Sequence, residues 1–146
     1  MSWDDLREVN TNLQNLDANV ISRRELLACL VAVFCFRDIV RGKLVKLFTD
    51  NSNARTWLQK SRSSNKVGTH YLMALELIKY TVECKISATW LPSAANSSAD
   101  DLSRNKTPNW LERCGRRRSI DVKLLALLIS DPISCWRQRI LSCNDL

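Results

Sequence analysis

Histidine occurs once, and glycine and proline three times each, in a chain of 146 residues. The scarcity of histidine bears on metal chemistry. The six cysteines include no pair at the roughly two-to-four-residue interval of zinc ligands, and His70 lies far from the nearest of them, which argues against a zinc finger. Cys29, Cys35, Cys84 and Cys135 sit in apolar segments and read as reduced thiols. No apolar run approaches the roughly 18 residues needed to cross a bilayer. The longest, Leu26 to Phe36, reads as a core helix, and Met1 to Leu13 is too polar for a secretory signal. The expected location is cytoplasmic or nuclear, with no membrane partner. Internal repeats and low-complexity tracts are absent, which excludes a solenoid.

What is present suits one compact domain. Hydrophobic residues make up 45% of the chain, enough for a buried core. The net charge of +7 is unevenly spread. Between Arg104 and Arg118 stand Arg104, Lys106, Arg113, Arg116, Arg117 and Arg118 against a single acid, Glu112. Such a strip suits a polyanion, because neutralising phosphates releases their counterions. It also suits a solvated linker.

The pattern along the chain predicts an irregular leader over residues 1–22, with a short strand at Asn19 to Ile21. Ser22 stands three residues before Glu25, the spacing of a capping box, so a helix is expected from Arg23 to about Val40, stopped by Gly42. Its apolar positions cover well over half the circumference, which predicts burial on more than one side. Leu44 to Thr49 is short, apolar and β-prone, and ends in the polar cluster Asp50-Asn51-Ser52-Asn53. Helices are expected at Asn53 to Lys60 and Val67 to Glu83, and a second strand at Lys85 to Leu91, closed by Pro92. A short helix should span Ser97 to Arg104. Residues 105–118 read as a basic linker and 119–146 as a helical hairpin, with Asp131-Pro132 opening its second helix. Trp57, Trp90 and Trp136 are expected in the core.

Three carboxylates occupy special places in this scheme. Glu25 lies in the first turn of a buried helix, Asp50 ends a strand, and Asp100 sits early in a short helix. In an α/β sheet the carboxyl ends of strands and the helix starts beside them gather at one rim. Carboxylates gathered there are stable with a cation between them, and hard oxygen ligands suit Mg²⁺ or Mn²⁺. Each residue also has a purely structural reading. Glu25 serves as a capping-box partner, Asp50 as a helix cap, and Asp100 or Asp101 as a charge at a helix N-terminus.

The segment LVKLFTDNSNARTWLQKSRSS resembles the strand–aspartate–helix segment of ribonuclease H domains in reverse transcriptases of gypsy-like and tyrosine-recombinase retrotransposons. ATWLPSAANSSADDLSR is similar to the signature of the same families, a tryptophan and proline, then asparagine, Ala-Asp and Leu-Ser-Arg. SRRELLACLVAV resembles their glutamate-bearing helix. The three matches follow the family's order over residues 22–104. The resemblance implies an α/β, ribonuclease H-like core at 23–104 with a C-terminal helical appendage. It implies that Glu25, Asp50 and Asp100 are catalytic metal ligands, while Asp101 stands one residue too late. Asn51 and Asn53 would cap the helix after Asp50. Arg104 would help hold the last helix or contact phosphate, and on the charge of the basic strip Lys106, Arg116, Arg117 and Arg118 are expected to face nucleic acid with it. The implied function is two-metal hydrolysis of the RNA strand of an RNA–DNA hybrid, within a larger reverse-transcriptase polyprotein.

Two departures qualify that expectation. The family's fold opens with a hairpin whose first strand carries an aspartate, and the 24 residues before Glu25 are not strand-like. Asp4 and Asp5 match by residue type alone. An incomplete sheet with exposed edges is therefore expected, together with N-terminal truncation and weakened cleavage. The family's histidine-bearing loop also has no counterpart between Pro92 and Asn96. A nucleic-acid-binding or interaction fragment without cleavage is the alternative expectation.

Overall fold

The computed structural model describes residues 20–104 and 119–137. Helix α1 spans Val20–Cys35, α2 Arg37–Val40, β1 Leu44–Thr49, α3 Ser52–Lys60, α4 Lys66–Val82 and β2 Lys85–Trp90. A 3₁₀ turn at Ser93–Ala95 leads into α5, Ser97–Ser103, and after residue 119 come α6, Val122–Ser130, and α7, Pro132–Arg137. The chain is thus mixed helix and strand, with a two-stranded parallel sheet. No helix among the described residues is long and apolar enough to cross a membrane.

Helix α1 begins earlier than the capping-box spacing predicts. Val20, Ile21 and Ser22 are helical, which corrects both the irregular leader up to residue 22 and the strand at Asn19 to Ile21. Ser22 is no cap. Its side chain is 4% exposed and its hydroxyl accepts a hydrogen bond from Asn53 Nδ2 at 3.3 Å. The expected burial on more than one side is present, with Leu26, Leu27, Leu30, Val31, Val33 and Phe34 all buried. The helix stops at Cys35 rather than Val40, because Phe36 leaves helical geometry (φ −104°, ψ 19°) and the apolar face ends with it. The Arg37 guanidinium takes up the freed Phe34 carbonyl at 2.9 Å and lies over the Phe34 ring.

Each of the next two helices starts on an asparagine. Asn51 Oδ1 accepts the Ala54 N–H at 2.8 Å, and Asn65 Oδ1 accepts the Gly68 N–H at 2.9 Å. Asn53 lies inside α3 and does not cap it. Gly42, at φ +67°, sends its N–H to the Val82 carbonyl, so β1 starts beside the end of α4. The two strands pair from Leu44 with Lys85 to Thr49 with Trp90, and residues 50–84 supply the long crossover that parallel pairing requires.

Alternation gives the sheet two unlike faces. Val45, Leu47, Ile86 and Ala88 turn toward the helices, where α1, α3 and α4 form the core with Trp57, Leu58, Tyr71, Leu75 and Ile78. Leu125, Leu128, Ile129 and Cys135, from the two helices after residue 119, belong to the same buried cluster. The other face carries Leu44, Lys46 and Phe48 beside Lys85, Ser87 and Thr89, and all six are exposed, Leu44 by 63% and Phe48 by 58%. Trp90 shares the covered face but is 49% exposed, which corrects its expected place in the core. It ends the strand beyond the cover of the helices.

Candidate metal centre

The carboxyl ends of both strands meet the start of α3 and the first turns of α1. Thr49, 1% exposed, is the pivot. Its hydroxyl donates to Glu25 Oε2 at 3.4 Å and accepts the Asn51 N–H at 3.1 Å. The first contact is long for an O–H···O bond, so it orients the carboxylate weakly. The second helps turn the chain from strand to helix at Asp50. Two bonds then hold the end of β2 against Asp50: Trp90 Nε1 donates to the Asp50 carbonyl at 3.1 Å, and Ser93 Oγ donates to Asp50 Oδ2 at 2.9 Å. The Leu91 N–H reaches the Thr49 carbonyl at 3.0 Å.

Glu25 is half-buried on α1, and its carboxyl is held above the ordinary carboxylate range. Burial is the main cause, the negative charge of Asp50 the second, and the Thr49 hydrogen bond offsets part of both. The charge of Asp50 is thus felt at Glu25, and the two carboxylates form an electronegative notch that a hard cation would relieve. Asp50 contributes to this notch as a strand-end residue, while Asn51 does the capping that Asp50 had as its structural reading.

Asp100 has a different setting. It stands exposed in α5, and its Oδ2 lies 3.2 Å from the Arg104 guanidinium one turn later. Among the described residues, no group of three His, Cys, Asp or Glu side chains stands close enough to hold one metal ion. The structure therefore brings Glu25 and Asp50 together and does not join Asp100 to them in such a group. Arg104 is itself exposed and ion-paired to Asp100. Asp101 and His70 are half-buried. Lys106, Arg116, Arg117 and Arg118, like Asp4 and Asp5, lie outside the described residues.

No family model, curated protein or solved structure matches the chain.

Three contributors to the notch escaped the sequence reading: Thr49, Trp90 and Ser93. Thr49 carries a signal, since a polar β-branched residue at the buried end of a strand needs a partner for its hydroxyl. Ser93 carries none, because its reach to Asp50 depends on the turn after Pro92. One turn into α3, Arg55 keeps its Nε–H buried without a hydrogen-bond partner among the described residues.

Proposed function

We propose that this chain is a ribonuclease H-like module of a retroelement reverse transcriptase, acting on RNA–DNA hybrids with Mg²⁺ or Mn²⁺ held by Glu25 and Asp50. The observation that carries the reading is the approach of Glu25 on α1 to the end of β1, where Asp50 stands, both in segments that resemble the family's own metal-binding segments. When bound, a divalent ion supplies Lewis-acid stabilisation of the phosphodiester and a water of lowered pKa. The donor set fits such an ion, since both groups are hard oxygen ligands and Glu25, raised first by burial, is raised further by the charge of Asp50. Thr49 and Ser93 would orient the two carboxylates through the hydrogen bonds they donate. Asp100 belongs to the site on the strength of the resemblance, and its recruitment would require it to exchange Arg104 for the ion. Two carboxylates hold a divalent ion less tightly than three, so the expected cleavage rate of this chain alone is low.

A second reading, a nucleic-acid-binding module that does not cleave, draws on the open sheet face. Lys46 and Lys85 flank exposed Leu44 and Phe48 there, with no acidic residue among the six that form it.

A hybrid-cleavage assay with Mg²⁺ and with Mn²⁺ tests the first reading. Asp50→Asn is expected to reduce cleavage by about a hundredfold or more, as loss of a metal-activating group does. Equal cleavage by the two proteins overturns the role of Asp50. If neither protein cuts while both bind hybrid in a salt-dependent way, the second reading stands.

A further inference from the structure

Beside the carboxylate pair, an open cleft of about 470 Å³ lies between the start of α3 and the end of β2, lined by Ser52, Arg55, Thr89 and Trp90. We propose that this cleft binds one phosphate group of a nucleic-acid backbone, with Arg55 as its anchor and the Trp90 ring as a stacking surface for the neighbouring nucleotide.

The argument begins with Arg55. Its Nε–H is buried and has no hydrogen-bond partner, and the guanidinium forms no ion pair among the described residues. Arg55 as a whole is half-buried and lines the cleft, so an oxyanion there would supply its guanidinium with the countercharge that the described residues do not. The other polar groups fit the same ligand. Ser52 at the start of α3 and Thr89 next to Trp90 complete the lining, and no acidic residue lines the cleft. A guanidinium fork matches the several oxygens of a phosphate.

Trp90 decides between a lone anion and a strand. Its indole N–H is taken by the Asp50 carbonyl, which fixes the edge of the ring, while the side chain remains half-exposed at the cleft. A phosphate fills a small part of 470 Å³, leaving room for the sugar and base attached to it. An aromatic face beside a cationic group is how single strands are gripped without sequence preference. The identity of the strand, one member of an RNA–DNA hybrid, rests on the function proposed above. The anion site does not.

The test uses fluorescence anisotropy with a labelled RNA–DNA hybrid in EDTA, across a series of salt concentrations, with circular dichroism as the check on folding. Arg55→Gln is expected to weaken binding roughly ten- to a hundredfold, the equivalent of one charged hydrogen bond. It should also lower the salt slope by about one counterion. Trp90→Leu is expected to lose roughly tenfold in affinity with the slope unchanged. Arg55→Gln with wild-type affinity and slope overturns the proposal, even if Asp50→Asn abolishes cleavage. A parallel titration follows the Arg55 Nε–H resonance with inorganic phosphate against chloride at equal ionic strength. If hybrid does not bind the wild type while phosphate shifts that resonance, the cleft takes a free phosphate and the nucleic-acid assignment falls with the nuclease reading. If neither ligand acts through Arg55, no anion site exists there.

Discussion

Thr49 Oγ1 lies 3.4 Å from Glu25 Oε2, across 24 positions of sequence, and the same oxygen accepts the backbone N–H of Asn51. One buried hydroxyl thus links the start of α1, the end of β1 and the entry to α3. Thr49→Val preserves shape and removes both bonds. It leaves the Asn51 N–H without that partner, so unfolding in urea should show a loss of about 1–3 kcal/mol. Glu25, deprived of a donor that favours its ionised form, should titrate higher still in the variant by carbon-13 NMR. An unchanged Glu25 titration would show that the 3.4 Å contact has no electrostatic role.

Glu25 also makes stability depend on pH. Its folded-state pKa is raised above the ordinary 4.5, first by burial and then by Asp50. A carboxyl that holds its proton more tightly in the folded state favours folding below the unfolded pKa. That contribution is lost as pH rises through the folded value. Glu25→Gln should therefore be more stable than the wild type near neutrality, and the difference should vanish below about pH 4. A divalent ion reverses the preference by binding the ionised form. Mg²⁺ or Mn²⁺ is expected to raise the melting temperature of the wild type and pull the Glu25 titration down, with neither effect in Asp50→Asn. A melting curve of the wild type indifferent to both ions would remove the metal from the proposed site.

Asn65 combines burial with capping. Its Oδ1 accepts the Gly68 N–H at 2.9 Å at the start of α4, the helix against which α1, α6 and α7 pack. Asn65→Ala is expected to cost about 1–2 kcal/mol in denaturant unfolding, and Asn65→Asp much less, since it keeps the acceptor. Equal losses in the two variants would show that packing against Ser63, rather than the cap, sets the cost.

The described cysteines should differ in reactivity. Cys29 is pushed up to about 12 by burial and by the nearby Glu25 carboxylate, and burial also raises Cys84 and Cys135. Cys35, where α1 ends, is half-buried, while the other three are buried. Iodoacetamide at mildly alkaline pH should label Cys35 first among these four, with Cys29 and Cys135 labelled on the timescale of unfolding. Peptide mapping by mass spectrometry distinguishes the order. Rapid labelling of Cys29 in the native protein would contradict its burial.

Local order was legible without coordinates. The run Leu44 to Thr49 names its own strand, Lys85 onward names the second, and Asn51, the cap of α3, stands in the polar cluster after the first, while the cap at Asn65 was not expected. These features depend on neighbours a few residues apart, whose spacing along the chain is their spacing in space. Asp50 was legible as a candidate for the same reason, at the end of a strand, whereas Glu25, expected in the first turn of its helix, lies a turn further in because α1 begins at Val20. Packing decided the rest. Ser22 has the spacing of a cap and is instead buried against Asn53. Trp90 alternates with core residues and emerges where helix cover ends, and Asp100 meets Arg104 one turn away. The link from Ser93 to Asp50 and the buried, unpartnered Arg55 Nε–H arise only when β2 docks beside β1 in parallel. Contacts between distant segments are set by which surfaces exclude water together, and no window of the chain contains that information.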